Sequence, residues 1–211
     1  MKNKKIIVKD IGKTSFFDAW KYQEEVFQKI IEQKVQNRTL EKKLKTNNYL
    51  IFTEHTPVYT IGKSGDTSNL LLTESQLEDR EIEFFKINIG GDITFHGPGQ
   101  IMGYPILDLD NFFTDINLYL RSLENTIIDT LSFYDILGFT IKGETGVWVK
   151  NQNEFKKICA FGIRASRWVT MHGFSLNVNS DLNYFNNIIP CGIKDKGVTS
   201  IKDILNQVVD I

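Results

Sequence analysis

Gly90-Gly91-Asp92-Ile93-Thr94-Phe95-His96-Gly97-Pro98-Gly99-Gln100 lies between two apolar runs, Phe84-Phe85-Lys86-Ile87 and Ile101-Met102-Gly103-Tyr104-Pro105-Ile106-Leu107. A plain hairpin connects its strands with about two to five residues. This longer segment carries Thr94 and His96 among four glycines. Glycine admits positive φ and lets a ligand approach the backbone, so the segment reads as a binding loop hung between two strands.

Outward from that loop, Ile6-Ile7-Val8 reads as a first strand and Ser15-Phe16-Phe17-Asp18 as the capped start of a helix. Phe16, Trp20, Phe27, Ile30 and Ile31 then recur at helical spacing, a core-facing stripe. The polar, basic stretch from Gln36 to Asn48 reads as a solvated connection to the short apolar strand Tyr49-Leu50-Ile51-Phe52-Thr53, broken by His55 and Pro57. Downstream, Asp115 to Leu137 carries apolar residues at helical spacing, with Gly138 as its stop.

Val147-Trp148-Val149, Ile158 to Ile163 and Ser175 to Asn179 read as strands, with Asn151-Gln152-Asn153 as a turn, and Ser200-Ile201-Lys202-Asp203 caps a last short helix. Two long helices among many strands, without regular alternation, predict an α+β fold on a mixed or mainly antiparallel sheet. A length of 211 residues predicts one domain.

The net charge of -1 carries no footprint for nucleic acid. No apolar run is long enough for a secretory signal or a bilayer span, which predicts a cytoplasmic protein with no membrane partner. Two cysteines, Cys159 and Cys191, with no CxxC, predict free thiols and no metal site.

His55, His96 and His172 each read as standing at a segment edge beside turn-forming residues, and His96 lies inside the glycine loop. Cys191, between Pro190 and Gly192, reads as a displayed thiol, whereas Cys159 in an apolar run reads as a buried small hydrophobe. A thiol with a pKa of about 8.5 needs a nearby cation to become nucleophilic at neutral pH. The candidates are the histidines and Lys156 or Lys157, of which strand alternation admits only one to a shared face.

Five segments occur in order: Glu54-His55-Thr56-Pro57-Val58-Tyr59-Thr60, the glycine loop, Lys157-Ile158-Cys159-Ala160-Phe161-Gly162, His172-Gly173-Phe174-Ser175-Leu176-Asn177-Val178-Asn179 and Pro190-Cys191-Gly192. Together they resemble the motif set of the octanoyltransferases, over nearly the whole chain. The resemblance implies one catalytic domain over residues 1–211 with a fold like that of the lipoate and biotin protein ligases. It implies transfer of octanoyl from octanoyl-acyl carrier protein to a lysine of the lipoyl domains of 2-oxoacid dehydrogenase E2 subunits and of glycine cleavage H protein, without ATP or metal.

The same resemblance matches Cys191 to the acyl-accepting thiol and Lys157 to the lysine that lowers its pKa. It matches Ile89, Gly90, Gly91, Asp92, Ile93, Thr94, Phe95 and His96, with Ala160, Phe161, Gly162, Gly173, Phe174 and Ser175, to acyl-binding positions; His55 and His172 are supporting candidates. One position departs: the family's loop begins Arg-Gly-Gly, and Ile89 stands where the arginine would be. Isoleucine offers none of the guanidinium's donors. Alternative readings are an ATP-dependent lipoate-protein ligase, an amidotransferase moving octanoyl between lipoyl proteins, and an inactive relative that holds acylated partners.

Overall fold

In the computed structural model, which describes residues 2–151, 154–189 and 197–211, the chain leaves a first strand β1 (Ile6–Thr14) for helix α1 (Phe16–Gln36) and returns as β2 (Asn48–His55), parallel to β1. Ser15 caps α1: its side chain accepts from the Asp18 N–H, as the sequence predicts. Then follow β3 (Val58–Ile61), a short helix α2 (Glu74–Asp79), β4 (Glu83–Lys86), β5 (Ile93–His96) and β6 (Gln100–Ile106). The second half contains α3 (Ile116–Ser132), β7 (Gly138–Phe139), β8 (Val147–Asn151), β9 (Glu154–Ser166), β10 (Val169–Asn177) and α4 (Ile201–Leu205).

Among the described residues these strands form a seven-stranded sheet, β1-β2-β6-β10-β9-β8-β7, and a three-stranded sheet, β4-β3-β5. All neighbours in the large sheet after β1-β2 are antiparallel, and the small sheet pairs β3 parallel with β4 and antiparallel with β5. The fold is therefore α+β on mixed, mainly antiparallel sheets. The segment Gly90–Gln100, expected as one loop between two strands, contains a strand of its own: Ile93–His96 form β5 and pair with β3 in the small sheet, and only the glycines on either side of β5 turn, Gly97 to Gly99 leading on to β6 of the large sheet.

Side chains on the large sheet alternate between two cores. Met102, Tyr104 and Ile106 of β6, with Val169 and Met171 of β10, meet Ala19, Val26, Phe27, Ile30 and Ile31 of α1. Ile101, Leu176, Val147 and Val149 face the other way, onto Ile127 and Leu131 of α3 and Ile201 of α4. One face of the sheet is thus covered partly by α1, and the small sheet folds over beside it.

Three further expectations are corrected. The first strand runs on to Thr14, because edge pairing with β2 continues past a bulge at Asp10 to Lys13. The helix expected to end at Gly138 ends at Ser132, where the backbone turns through Asp135 at φ 56, and Gly138 instead enters β7. His172 lies within β10 rather than at a segment edge. Of the predicted turn at 151–153, Asn151 ends β8, while Gln152 and Asn153 fall outside the described residues.

Candidate active site

A cavity of about 150 Å³ opens where α1, the small sheet and the glycine loop meet the large sheet. Its floor follows from cross-strand pairing: Met102 is opposite Ser175, Ser175 opposite Ala160, and Gly173 opposite Gly162. Directly opposed residues in an antiparallel pair share a face, so these positions form one surface. Phe161 and Phe174 alternate with them, their rings 6.1 Å apart and packed against the α3-side core, and both residues also border the cavity.

A bulge decides which lysine joins that floor. Val147 of β8 opposes Cys159, but the next residue, Trp148, opposes Lys157, so Ile158 and Cys159 together span one step. Both turn into the α3-side core, where each is fully buried. Alternation restarts beyond them, which places Lys157 on the same face as Ala160 and Gly162. Its Nζ sits 4.7 Å from the centre of the Trp148 ring, and the residue lines the cavity. Lys156 opposes Val149 on the other face and lies 3.7 Å from Glu154.

The Lys157 main chain is held on both sides, its N–H donating to Gly197 O and its carbonyl accepting from Thr199 N, each at 3.0 Å. Burial raises the Cys159 thiol well above its usual range, and the Lys157 charge opposes this without overcoming it. Cys159 stays a protonated, buried thiol. Cys191, with Pro190 and Gly192, lies outside the described residues.

The glycine loop divides in function. Ile89 to Thr94 and His96 line the cavity as its roof, whereas Phe95 is buried against Tyr59, Tyr184 and Phe185. The second half is structural: Gly99 O accepts from Val178 N and Asn179 N, and Gly99 N donates to Glu54 Oε2. A Cβ on Gly99 would meet the Asn179 carbonyl carbon at 2.5 Å. Only the half before Gly97 borders the cavity; the half after it packs against the chain around Asn179.

His96 lies between Thr60 and Gln100: Nε2 accepts from the Thr60 hydroxyl at 3.3 Å and Nδ1 donates to Gln100 Oε1 at 3.2 Å, the tautomer being assigned from these partners. Burial, then His55 and His172, push its pKa down to about 3, so the ring is neutral. His55 lies behind the wall, its Nδ1 donating to Thr14 O and its Nε2 accepting from Tyr104 Oη, and burial lowers its pKa.

His172 lines the cavity with its backbone at φ 60, its N–H donating to Gln23 Oε1 of α1. Burial and then Arg164 push its pKa down to about 4. Among the described residues its ring nitrogens have no hydrogen-bond partner.

The sequence reading missed Phe16, Thr60, Tyr104 and Thr145, which also line the cavity. Phe16 belongs to a helical apolar stripe, and only its place at the first turn of α1 exposes it to the junction. Tyr104 carried a signal, a hydroxyl within an otherwise apolar run. Among the described residues no group of three or more His, Cys, Asp and Glu side chains could hold a metal, and no helix is long and apolar enough to cross a membrane.

Comparison with known proteins identifies the family. Residues 15–211 match the family model described as the lipoyl protein ligase A/B catalytic domain. An octanoyltransferase of Flavobacterium johnsoniae is 61% identical over 94% of this chain and 86% of its own length. One from Christiangramia forsetii is 56% identical over 97% and 88%, and one from Bacteroides fragilis 41% over 98% and 91%. Among solved structures, a bipartite lipoate protein ligase from Thermoplasma acidophilum superposes with a TM-score of 0.66 at 15% identity, covering 97% of this chain and 76% of that one. P. falciparum LipL1 in complex with lipoate gives 0.67 at 15% identity over 97% and 58%. These two likenesses speak for the fold alone. With a matched family model over most of its length and closely similar relatives that are octanoyltransferases, the chain belongs to the octanoyltransferases of the lipoyl protein ligase A/B catalytic-domain family, and it is an acyltransferase.

Proposed function

We propose that this acyltransferase takes octanoyl from octanoyl-acyl carrier protein onto Cys191 and passes it to a lysine of a lipoyl domain, of a 2-oxoacid dehydrogenase E2 subunit or of glycine cleavage H protein. The observation that carries the reading is the β9 bulge, which puts the Lys157 ammonium on the face that forms the cavity floor beside Ala160 and Gly162.

The Cys191 thiolate attacks the thioester carbonyl; the new C–S bond forms as the bond to pantetheine breaks, and that sulfur leaves as a thiolate that takes a proton. The lipoyl-domain amine then attacks the acyl-enzyme, the C–S bond to Cys191 breaks, and an amide forms with loss of one amine proton. Lys157 supplies the positive charge that holds the thiol ionised, and in its neutral form it accepts that proton. Thioester exchange is nearly isoenergetic and amide formation runs downhill, so neither step draws on ATP. The acyl tail lies over the cavity floor, each buried CH₂ contributing about 0.8 kcal/mol.

Intact mass after incubation with octanoyl-acyl carrier protein, without ATP, tests the reading. An octanoyl adduct on the wild-type chain that disappears in Cys191→Ala, and moves to an added lipoyl domain, is expected. A folded Cys191→Ala chain that still transfers octanoyl would overturn it.

A further inference from the structure

Two glycines face each other on the cavity floor, Gly162 on β9 and Gly173 on β10, and they are bare for different reasons. A Cβ on Gly173 would lie 2.1 Å from Gly103 O and 2.5 Å from Pro105 Cδ, so close strand packing alone excludes a side chain there. The space beside Gly162 is empty of backbone. What a Cβ would meet there is the Ile89 side chain, Cδ1 at 2.6 Å and Cγ1 at 3.7 Å. Ile89 is seated in the notch that glycine leaves.

The loop holds Ile89 in place. Its carbonyl accepts from Lys63 N at 3.0 Å, Asp92 O accepts from Gly62 N at 3.2 Å, and Gly91 O accepts from the Ser64 hydroxyl at 2.9 Å. A Cβ on Gly62 would fall 2.5 Å from Gly91 O, so the two loops are in close backbone contact. On its other side Ile89 packs with Phe16, Val58 and Ile87. The plug is therefore fixed rather than hinged.

Its position along β9 matters. Lys157 and Gly162 mark opposite ends of the cavity floor, about 15 Å apart at the rise of an extended strand. Beyond the Gly162 end the same face of the sheet is covered by α1, whose Gln23 holds the His172 main chain. An acyl chain whose carbonyl lies at the Lys157 end therefore runs toward Ile89.

We propose that Ile89, seated on the bare backbone of Gly162, is the stop that sets the length of acyl chain the cavity accepts. The proposal rests on the acyl-transfer reading above and adds a length-determining residue to it. An apolar pocket discriminates by about 10- to 200-fold for each methylene it fails to fit, so one side chain at a closed end is enough to define a preferred length.

Two measurements separate the proposal from the reading beneath it. Calorimetric titration with hexanamide, octanamide, decanamide and dodecanamide reads cavity length without turnover. Affinity of the wild type should rise to one member and stop; Ile89→Ala should move the break to a longer member and bind it at least ~10-fold tighter than wild type does. Ile89→Val, which keeps the fold's packing with one methyl fewer, should move it less. Adding Gly162→Ala to Ile89→Ala puts a methyl back into the notch and should return the break toward the wild-type length.

Competition among acyl-carrier-protein thioesters of the same lengths, read by intact mass, should show the same order. The same length profile in Ile89→Ala and wild type, or no break at all, overturns the stop. A break that moves while no thioester forms on Cys191 upholds the stop and overturns the transfer reading.

Discussion

The Tyr104 hydroxyl lies 2.6 Å from His55 Nε2, with His55 fully buried and Tyr104 3% exposed. Because Nδ1 of the same ring donates to Thr14 O, Nε2 is the acceptor and the tyrosine the donor. The pair ties the end of β2 to the middle of β6, with Tyr104 lining the cavity and His55 behind it. Tyr104→Phe keeps the ring and removes the donor, leaving a buried imidazole nitrogen without its partner. A loss of about 1 to 3 kcal/mol is expected, read as a lower urea midpoint with an unchanged slope. An unchanged midpoint would mean that water replaces the hydroxyl.

Two other histidines make stability depend on pH. An unfolded histidine titrates near 6.5, whereas burial pushes folded His96 down to about 3 and His172 down to about 4. Both folded values lie below the unfolded one, so as pH falls the unfolded chain binds these protons first. Their stabilisation is present in full above about pH 6.5. From there it is lost at about 1.4 kcal/mol per pH unit for each group, until His172 protonates in the folded state near 4 and His96 near 3. Carboxylates also titrate in that range, so the check is a difference: His172→Asn should show a shallower fall of urea midpoint between pH 6.5 and 4.5 than wild type. Parallel profiles would sink it.

His172 also carries backbone strain. At φ 60 a β-carbon crowds the main chain, which costs a histidine or alanine about 1 kcal/mol and a glycine almost nothing. Both His172→Gly and His172→Ala remove the imidazole, so the two variants differ mainly in the cost of that φ. His172→Gly should be the more stable of the pair by about 1 kcal/mol, reduced by the entropy of a freer unfolded glycine. Thermal unfolding of the two side by side measures it, and an alanine variant at least as stable as the glycine one refutes it.

The parts of this site legible in the sequence are those where composition itself dictates conformation. The glycine loop, the Ser15 and Ser200 caps and the burial of Cys159 follow from residue type and near neighbours. For the long helix the sequence marks the start, where Asp115 accepts from Leu118 N, but not the end at Ser132. There Asp135 adopts a left-handed φ, which Asp reaches more readily than most residues but which nothing nearby announces. The division of the glycine-rich segment into a half that borders the cavity and a half that does not depends on Asn179, about eighty residues away along the chain. The seat of Ile89 on Gly162 likewise joins the connection between β4 and β5 to β9, which only the assembled sheets bring together.

The lysine pair shows the limit most plainly, and it yields a test. Alternation says that Lys156 and Lys157 face opposite ways, but not which faces the cavity; that depends on the bulge at Ile158 and Cys159, a feature of how β9 meets β8. Both lysines carry the same charge one residue apart, so a general electrostatic effect on the proposed nucleophile Cys191 would fall by similar amounts when either is neutralised. A facing effect would not. Lys156→Gln should leave single-turnover octanoyl transfer within about twofold of wild type, and Lys157→Gln should lower it by about 100-fold or more, in the range of a lost proton-transfer group. The pH profile of thiol alkylation by iodoacetamide should move upward in Lys157→Gln alone. Equal effects from the two substitutions would show that charge near the strand, rather than the face chosen by the bulge, is what the thiol responds to.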